Sequence, residues 1–578
     1  MINLRAEIPR FGRRALLALG AIVTAGVSVG MHKAYAAPQA SKIHLNQVGF
    51  LPESGKIAVV PNVASGEFWL VDAKTGSEVL RGPLSQAQAW DVAGDTVKVA
   101  DFTAFNKPGH YKIRVADAGE SPPFYIQENV YDPVLSAAIK YFYYNRASAS
   151  ITSDYAGKFA RPAGHPDTLV YIHSSAASAE RPAGAVISSP KGWYDAGDYN
   201  KYTVNSGIST YTLLAALADF PRLFADVRLN IPESGNSVPD LLDEILWNMD
   251  WLVTMQDPHD NGVYHKLTDL RFSGDGMPHE QNTKRYMVQK STAATLNFAA
   301  VMAYASVVMR DYEKHFPGRA EQYLNAAEKA WSWAKKNPKL LYVQPQDVNT
   351  GAYAMVNENL QDEWLWAAAE LFRATGKKAY LNDMQLPESP RVPEWSAVEG
   401  LGLYALARHN KAGKLHQKAR DQLITMANRM VKEYWQSGYL VPMTEVDFRW
   451  GSNAVALNKA MVLLSADRVQ PNKDYRPAAR GLLDYVFGRN PTGYSYVTGF
   501  GTKSPVKPHH RIAHYDGVEP PVPGMLAGGA QPGWQDECKY PSRLPAKSYL
   551  DDWCSYSTNE VAINWNAPLV YVLAALRE

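Results

Sequence analysis

Three stretches of the chain concentrate side chains able to move protons. The first runs Gly192-Trp193-Tyr194-Asp195-Ala196-Gly197-Asp198-Tyr199-Asn200-Lys201-Tyr202. Two carboxylates three residues apart, separated by Ala196 and Gly197, form a compact turn. Both can address one water there, one as base and the other orienting it. The same string also suits a helix cap or a calcium loop. The second stretch passes through Tyr549, Asp551, Tyr556 and Asn559 to Glu560, where a polar loop gives way to an apolar segment. A carboxyl walled there by Tyr556 and Trp565 is partly desolvated and holds its proton, as a general acid must. The alternative is a first-turn carboxylate that serves the helix dipole. The third stretch, Lys507-Pro508-His509-His510-Arg511, offers imidazole and guanidinium groups that can hydrogen-bond hydroxyls or set a carboxylate's pKa. Adjacent histidines point apart, which argues against a shared metal.

Other chemistries find no support. No phosphate loop or nucleotide-binding glycine fingerprint sits in a strand-helix context, and no Gly-x-Ser-x-Gly elbow occurs on an α/β background. The string Asp257-Pro258-His259-Asp260-Asn261-Gly262 hints at calcium without the twelve-residue ligand spacing; no cofactor is expected to be required, and structural calcium stays open without a clear motif. Lys plus Arg number 59 against 57 Asp plus Glu, a balance that gives no reason to expect nucleic acid or an anionic membrane as partner. The 15 Trp and 33 Tyr suit a saccharide ligand, whose faces pack on flat amphipathic rings, although a large helical core also uses many aromatics.

The elements that must position these groups fall into three parts. Residues 1–36 read as a secretory signal: Arg5, Arg10, Arg13 and Arg14 precede an apolar run over 15–29, then Ala34-Tyr35-Ala36 at the expected cut. The protein is thus expected outside the cytoplasm (periplasmic or extracellular), as a monomer, with no later apolar run long enough to span a membrane. In that setting Cys538 and Cys554 read as a disulfide. Over 41–126, short β-forming runs at 42–45, 56–60, 67–71, 96–100 and 111–115 are punctuated by turn residues, as in a small immunoglobulin-like β-sandwich. From 130 to 578 the period becomes helical, at 134–143, 206–217, 239–255, 291–309, 320–335, 361–374, 392–407, 415–434, 452–466, 476–487 and 560–576. Helices without alternating strands exclude a parallel α/β sheet and leave a solenoid or a closed toroid of hairpins. The long polar loops at 192–205, 259–286 and 490–558 are where such a scaffold carries chemistry.

Taken together, the motifs resemble glycoside hydrolase family 9. Asp195-Ala196-Gly197-Asp198-Tyr199-Asn200-Lys201-Tyr202 is similar to the family's aspartate loop. Ser495 to Lys503, running on to His509 and Arg511, is similar to its histidine signature. Tyr549, Asp551, Tyr556, Asn559, Glu560, Asn566 and Ala567 are similar to its acid signature. Leu45-Asn46-Gln47-Val48-Gly49-Phe50 looks like the start of the immunoglobulin-like domain that precedes some members. The resemblance implies an (α/α)6 barrel and hydrolysis of β-1,4-glucosidic bonds with inversion, the two carboxyls standing about 6.5–9.5 Å apart. It implies Asp198 as base, Asp195 as its assistant and Glu560 as acid. His509, Arg511, Asp551, Tyr556 and Trp193 are expected to bind or support a β-linked oligo- or polysaccharide. An exo-acting β-glucosaminidase and a non-catalytic carbohydrate-binding protein are the alternatives.

Overall fold

The structure, a computed structural model, describes residues 41–355, 360–382 and 384–577; the expected signal segment lies outside them. Within the amino-terminal part, His44–Leu45, Ile57–Pro61, Asp95–Asp101 and Gln88–Trp90 form one antiparallel sheet. Glu67–Asp72, Glu78–Pro83, Gly109–Val115, Gly119–Glu120 and Phe124–Ile126 form the other. Alternation drives the packing: Tyr111, Ile113 and Val115 are buried from one face of Gly109–Val115. Phe50, Phe102 and Phe124 meet at the centre with ring centroids 5.3–5.5 Å apart. This is the expected β-sandwich.

The sandwich is keyed to the helical part of the chain through the Leu45–Phe50 motif. Asn46 Nδ2 donates to Asp484 at 2.8 Å and to the Tyr131 hydroxyl at 3.1 Å, while Tyr131 donates to the Gly49 carbonyl. Gln47 donates to the Gly493 carbonyl and accepts from Thr502 and the Lys503 N–H. Buried polar groups stay in place only when paired, so these bonds fix the register between the two parts.

The helical part is a closed ring. Six helices, Thr203–Asp219, Thr292–Met309, Gln361–Thr375, Glu399–Ala407, Ser452–Val469 and Ile563–Arg577, are buried on most sides and line the inside. Amphipathic helices such as Asp240–Thr254, Arg319–Lys336 and Lys414–Gln436 cover them. The last inner helix, Ile563–Arg577, packs on the first, Thr203–Asp219, which closes an (α/α)6 barrel rather than a solenoid. Thr292–Tyr312 is apolar and long enough to cross a membrane, contrary to the expectation that no such run exists. Here it is an inner helix, 94% of its apolar window buried in protein.

Two local expectations change. The segment 392–407 is helical only over Glu399–Ala407; Pro390 and Pro393 keep the preceding stretch out of the helix, and Trp395 lies in a turn closed by the Glu394–Ala397 bridge. A small sheet of Val186–Ile187, Val170–Ile172, Arg285–Met287, Lys266–Thr268 and Lys201–Tyr202 also appears inside the helical part. Its strands are too short to leave a periodic signal. Buried ion pairs bind it, with Asp167 held by Lys201 at 2.7 Å and by Arg285 at 3.1 Å. The Asp257–Gly262 string carries no calcium-loop geometry: Lys290 pairs with both Asp257 and Asp260, and Arg181 lies 3.6 Å from Asp257.

A second buried charge cluster sits below the aspartate loop. Arg146, 2% exposed, pairs with the fully buried Glu244 at 2.8 Å and with Glu233 at 3.0 Å, under the Trp247 ring. Replacing Arg146 by Ala leaves Glu244 in the core without its cation. Equilibrium urea unfolding is expected to show a loss of about 3–5 kcal/mol. A loss below about 1 kcal/mol would place the pair among weak surface bridges instead.

Candidate active site

Tyr202 and Lys201 end the loop as a two-residue strand, so the helix from Thr203 starts directly behind the two aspartates. Asp195 is 1% exposed; Asn205 Nδ2 donates to its Oδ1 at 2.6 Å and the Tyr353 hydroxyl to its Oδ2 at 2.7 Å. Asp198 accepts from Asn200 Nδ2 at 2.5 Å and from the Tyr202 hydroxyl at 2.8 Å, both on Oδ2. Its Oδ1 therefore has no protein donor among the described residues, the arrangement a water-activating carboxylate requires. The Gly351 N–H donates to Tyr202 Oη, which turns the tyrosine proton toward Asp198. The loop is not a helix cap: Tyr202 precedes the helix from Thr203 with no side-chain capping bond.

Glu560 is not in the helix that comes after it. It lies in extended backbone after the short helix Tyr556–Asn559 and forms a parallel bridge with His509. Its Oε1 accepts from the Gly197 N–H at 3.3 Å, so the acid sits against the turn between the two aspartates. A Cβ at position 197 would lie 2.7 Å from the His509 carbonyl and 3.1 Å from Glu560 Oε1, a contact that only glycine avoids. Burial, with the Asp198 charge beside it, pushes the Glu560 carboxyl up to about 8, against the Gly197 N–H and Trp450 hydrogen bonds. Asp195 is likewise raised to about 8 by burial and then by Asp198, opposed by Asn205 and Tyr353.

The other expected residues separate into different roles. His509 Nδ1 donates to the Trp553 carbonyl at 2.7 Å and its ring stacks on Trp553 at 4.3 Å. Burial lowers its pKa to about 4, so the ring is neutral and Nε2 is left as an acceptor. Arg511 Nη1 donates to the Gly197 carbonyl at 2.9 Å and Nε to the Ser273 carbonyl, tying the aspartate turn to the opposite loop. Asp551 accepts the Val506 and Lys507 N–H groups and Asn559 Nδ2; it orders the segment that carries His509. Tyr556 packs against Trp450, ring centroids 5.4 Å apart, and bonds the Gln535 carbonyl. His510 caps the helix Arg511–Tyr515 and bonds Asn145, a structural position. Cys538 and Cys554 are joined as a disulfide in the loop leading to Tyr556.

Trp193 is the correction. It is 1% exposed, its indole N–H donates to Glu244 at 2.7 Å, and it packs on Phe142. No sugar can reach it. The aromatic platform is instead a cavity of about 470 Å³ beside Glu560, with Tyr353, Trp395, Trp450 and Trp565 in its walls. Tyr353 holds φ +46°, a strained value for a non-glycine residue, and faces Trp395 edge-on at 4.9 Å. The Trp450-Gly451 step just before the Ser452 helix was a usable sequence signal; Tyr353 and Trp395 had none.

Comparison with known proteins agrees with this geometry. Residues 131–573 match Glycosyl hydrolase family 9 and residues 38–120 match the Cellulase N-terminal ig-like domain. The chain is 42% identical to the Xyloglucan-specific endo-beta-1,4-glucanase BoGH9A of Bacteroides ovatus over 553 residues, 92% of this chain and 93% of that protein. It is 35% identical to Endoglucanase D of Acetivibrio thermocellus, covering 92% and 83%. A solved structure described as Bacteroides ovatus GH9 superposes with a TM-score of 0.86 at 40% identity, over 93% of this chain and 98% of the other. The chain belongs to glycosyl hydrolase family 9. It is a glycoside hydrolase of the endoglucanase type, with the (α/α)6 barrel and amino-terminal immunoglobulin-like domain described above.

A carboxyl acid is useful only while protonated, so the rate is expected to fall as pH rises through the Glu560 value. The kcat/KM profile should bend downward near pH 8 and then drop roughly tenfold per pH unit. A profile flat to pH 10 would remove Glu560 from proton donation.

Proposed function

We propose that this site cleaves β-1,4-glucosidic bonds with inversion of configuration. Asp198 takes a proton from the attacking water, Asp195 orients that water and supports the developing charge, and Glu560 protonates the departing glycosidic oxygen. The observation that carries this reading is the meeting of Glu560 with the Asp195–Asp198 turn at Gly197. Burial there keeps the acid protonated while Asp198 offers a free oxygen. His509 Nε2 and the tryptophan faces supply an acceptor and stacking surfaces for a glucan chain. The names of the relatives, endoglucanases on β-glucans, support the same substrate class. The disulfide supports the expected export to an oxidising compartment.

Two measurements test this. Hydrolysis of a β-linked cello-oligosaccharide followed by proton NMR should release the new reducing end as the α-anomer. A β-anomer product would overturn inversion. Asp198→Asn and Glu560→Gln should each lower kcat by about 10²–10⁴ with the fold intact by circular dichroism. Near-wild-type turnover by either variant would remove that residue from its role.

A further inference from the structure

One buried cation near the site has no role in the proton transfers described above. Lys266 is fully buried on the short strand Lys266–Thr268, between Lys201–Tyr202 and Arg285–Met287. Tyr202 is its partner across the ladder, and the ammonium lies 5.6 Å from the Tyr202 ring and 5.6 Å from that of Tyr342. Nζ donates to the Gly351 carbonyl at 2.7 Å, the Thr350 hydroxyl at 2.9 Å and Gln344 Oε1 at 3.2 Å. All three acceptors are neutral. The charges on the elements around it are engaged elsewhere: Lys201 and Arg285 hold Asp167, and Asp347 holds His173. The His265 ring, stacked on Tyr342 at 3.9 Å, is neutral because burial lowers its pKa to about 3. Among the described residues the charge left to act on Lys266 is that of Asp198.

Tyr202 stands between the two. Its ring faces the ammonium, and its hydroxyl donates to Asp198 Oδ2 at 2.8 Å. The Gly351 residue that Lys266 holds by its carbonyl also donates its N–H to that hydroxyl at 3.1 Å. A buried ammonium without an anion is costly, and the cost falls when Asp198 is ionised. The attraction is mutual, so the ammonium favours a charge on Asp198 over a charge on its neighbours. We propose that Lys266 is a positioning residue for the base: its ammonium is the counter-charge of ionised Asp198, and its bonds to Thr350 and Gly351 keep the Tyr202 proton on that carboxylate. The inference rests on the assignment of Asp198 as base above.

The test is the pH profile of kcat/KM on a cello-oligosaccharide. Burial lowers the Lys266 pKa to about 7, so the ammonium is charged across the acid limb, where the base takes up a proton. Lys266→Gln keeps an N–H donor for the Gly351 carbonyl and drops the charge; Lys266→Met drops both. In each, the acid limb should move to higher pH by about one unit, so activity falls more at pH 5 than at pH 7. Lys266→Arg should leave the limb in place. An unmoved limb in Lys266→Gln overturns the proposal, as does an equal movement in Lys266→Arg, which would assign the effect to packing. A uniform fall in kcat with the limb unmoved is what a merely structural brace gives, and it overturns the proposal too. Thermal unfolding supplies a readout that needs no activity. Lys266→Met should lower Tm less in Asp198→Asn protein than in the wild type, because the cation removed there has already lost its anion; additive losses overturn the pairing. Full activity in Asp198→Asn would sink the base assignment itself, whereas an inactive Asp198→Asn beside an unmoved limb in Lys266→Gln removes Lys266 alone.

Discussion

Residue 197 has no side chain, and on that the site depends. Its N–H meets the Glu560 carboxyl, its carbonyl receives Arg511, and the His509 backbone passes within a distance that excludes a Cβ. Three segments far apart in sequence therefore converge on one peptide unit. The aspartate turn brings the two acidic groups, the bridge at 509 and 560 brings the proton donor, and Arg511 locks the turn against the loop at Ser273. Any side chain at 197 would push these segments apart and separate acid from base. Pre-set geometry of this kind is what allows positioned groups to act without reorganising during reaction.

Such convergence requires a rigid base. The ring of inner helices provides it, because closing Ile563–Arg577 on Thr203–Asp219 places the residues after Asp198 and after Glu560 side by side. The Asp195 carbonyl even accepts the Ile563 N–H at 2.9 Å, joining the aspartate turn to the start of the last helix. Beneath the site, buried charges are matched: Lys201 and Arg285 on Asp167, Arg146 on Glu244. Lys266 braces the same region through neutral acceptors. It holds the Gly351 carbonyl at 2.7 Å and the Thr350 hydroxyl at 2.9 Å, and so fixes the segment that presents Gly351 to Tyr202 and Tyr353 to Asp195. Burial lowers the Lys266 pKa to about 7, with the Asp198 charge opposing the fall.

The proton-carrying residues were legible in the sequence because each combines an ionisable type with an unusual local setting. Asp195 and Asp198 share a short turn, and Glu560 stands where a loop ends. Their assembly was not legible. Tyr353 reaches Asp195 across 158 residues of chain, and its positive φ leaves no mark in composition. Trp395 was hidden inside a stretch whose spacing suited a helix, although two prolines preceded it. Trp193 misled for the opposite reason. An aromatic beside carboxylates is read as a sugar platform, yet its indole answers to Glu244, a partner that only the folded chain brings near. The barrel's helices followed from periodicity, but its closure followed from family resemblance, since a solenoid and a toroid share one local pattern. The small sheet at 170–287 was invisible because strands of two or three residues have no period to detect.

The same electrostatics that prepare the site also reset it. In the proposed reaction Asp198 gains a proton from water as Glu560 gives one to the leaving oxygen, so each turnover ends with the protons exchanged. Before turnover the Asp198 charge helps to keep Glu560 protonated. Afterwards the charge lies on Glu560, in a buried position that disfavours it. That burial favours return of a proton from solvent to Glu560, and the proton taken up by Asp198 passes to solvent to complete the cycle. The burial that raises the acid supplies the driving force for its own recharging.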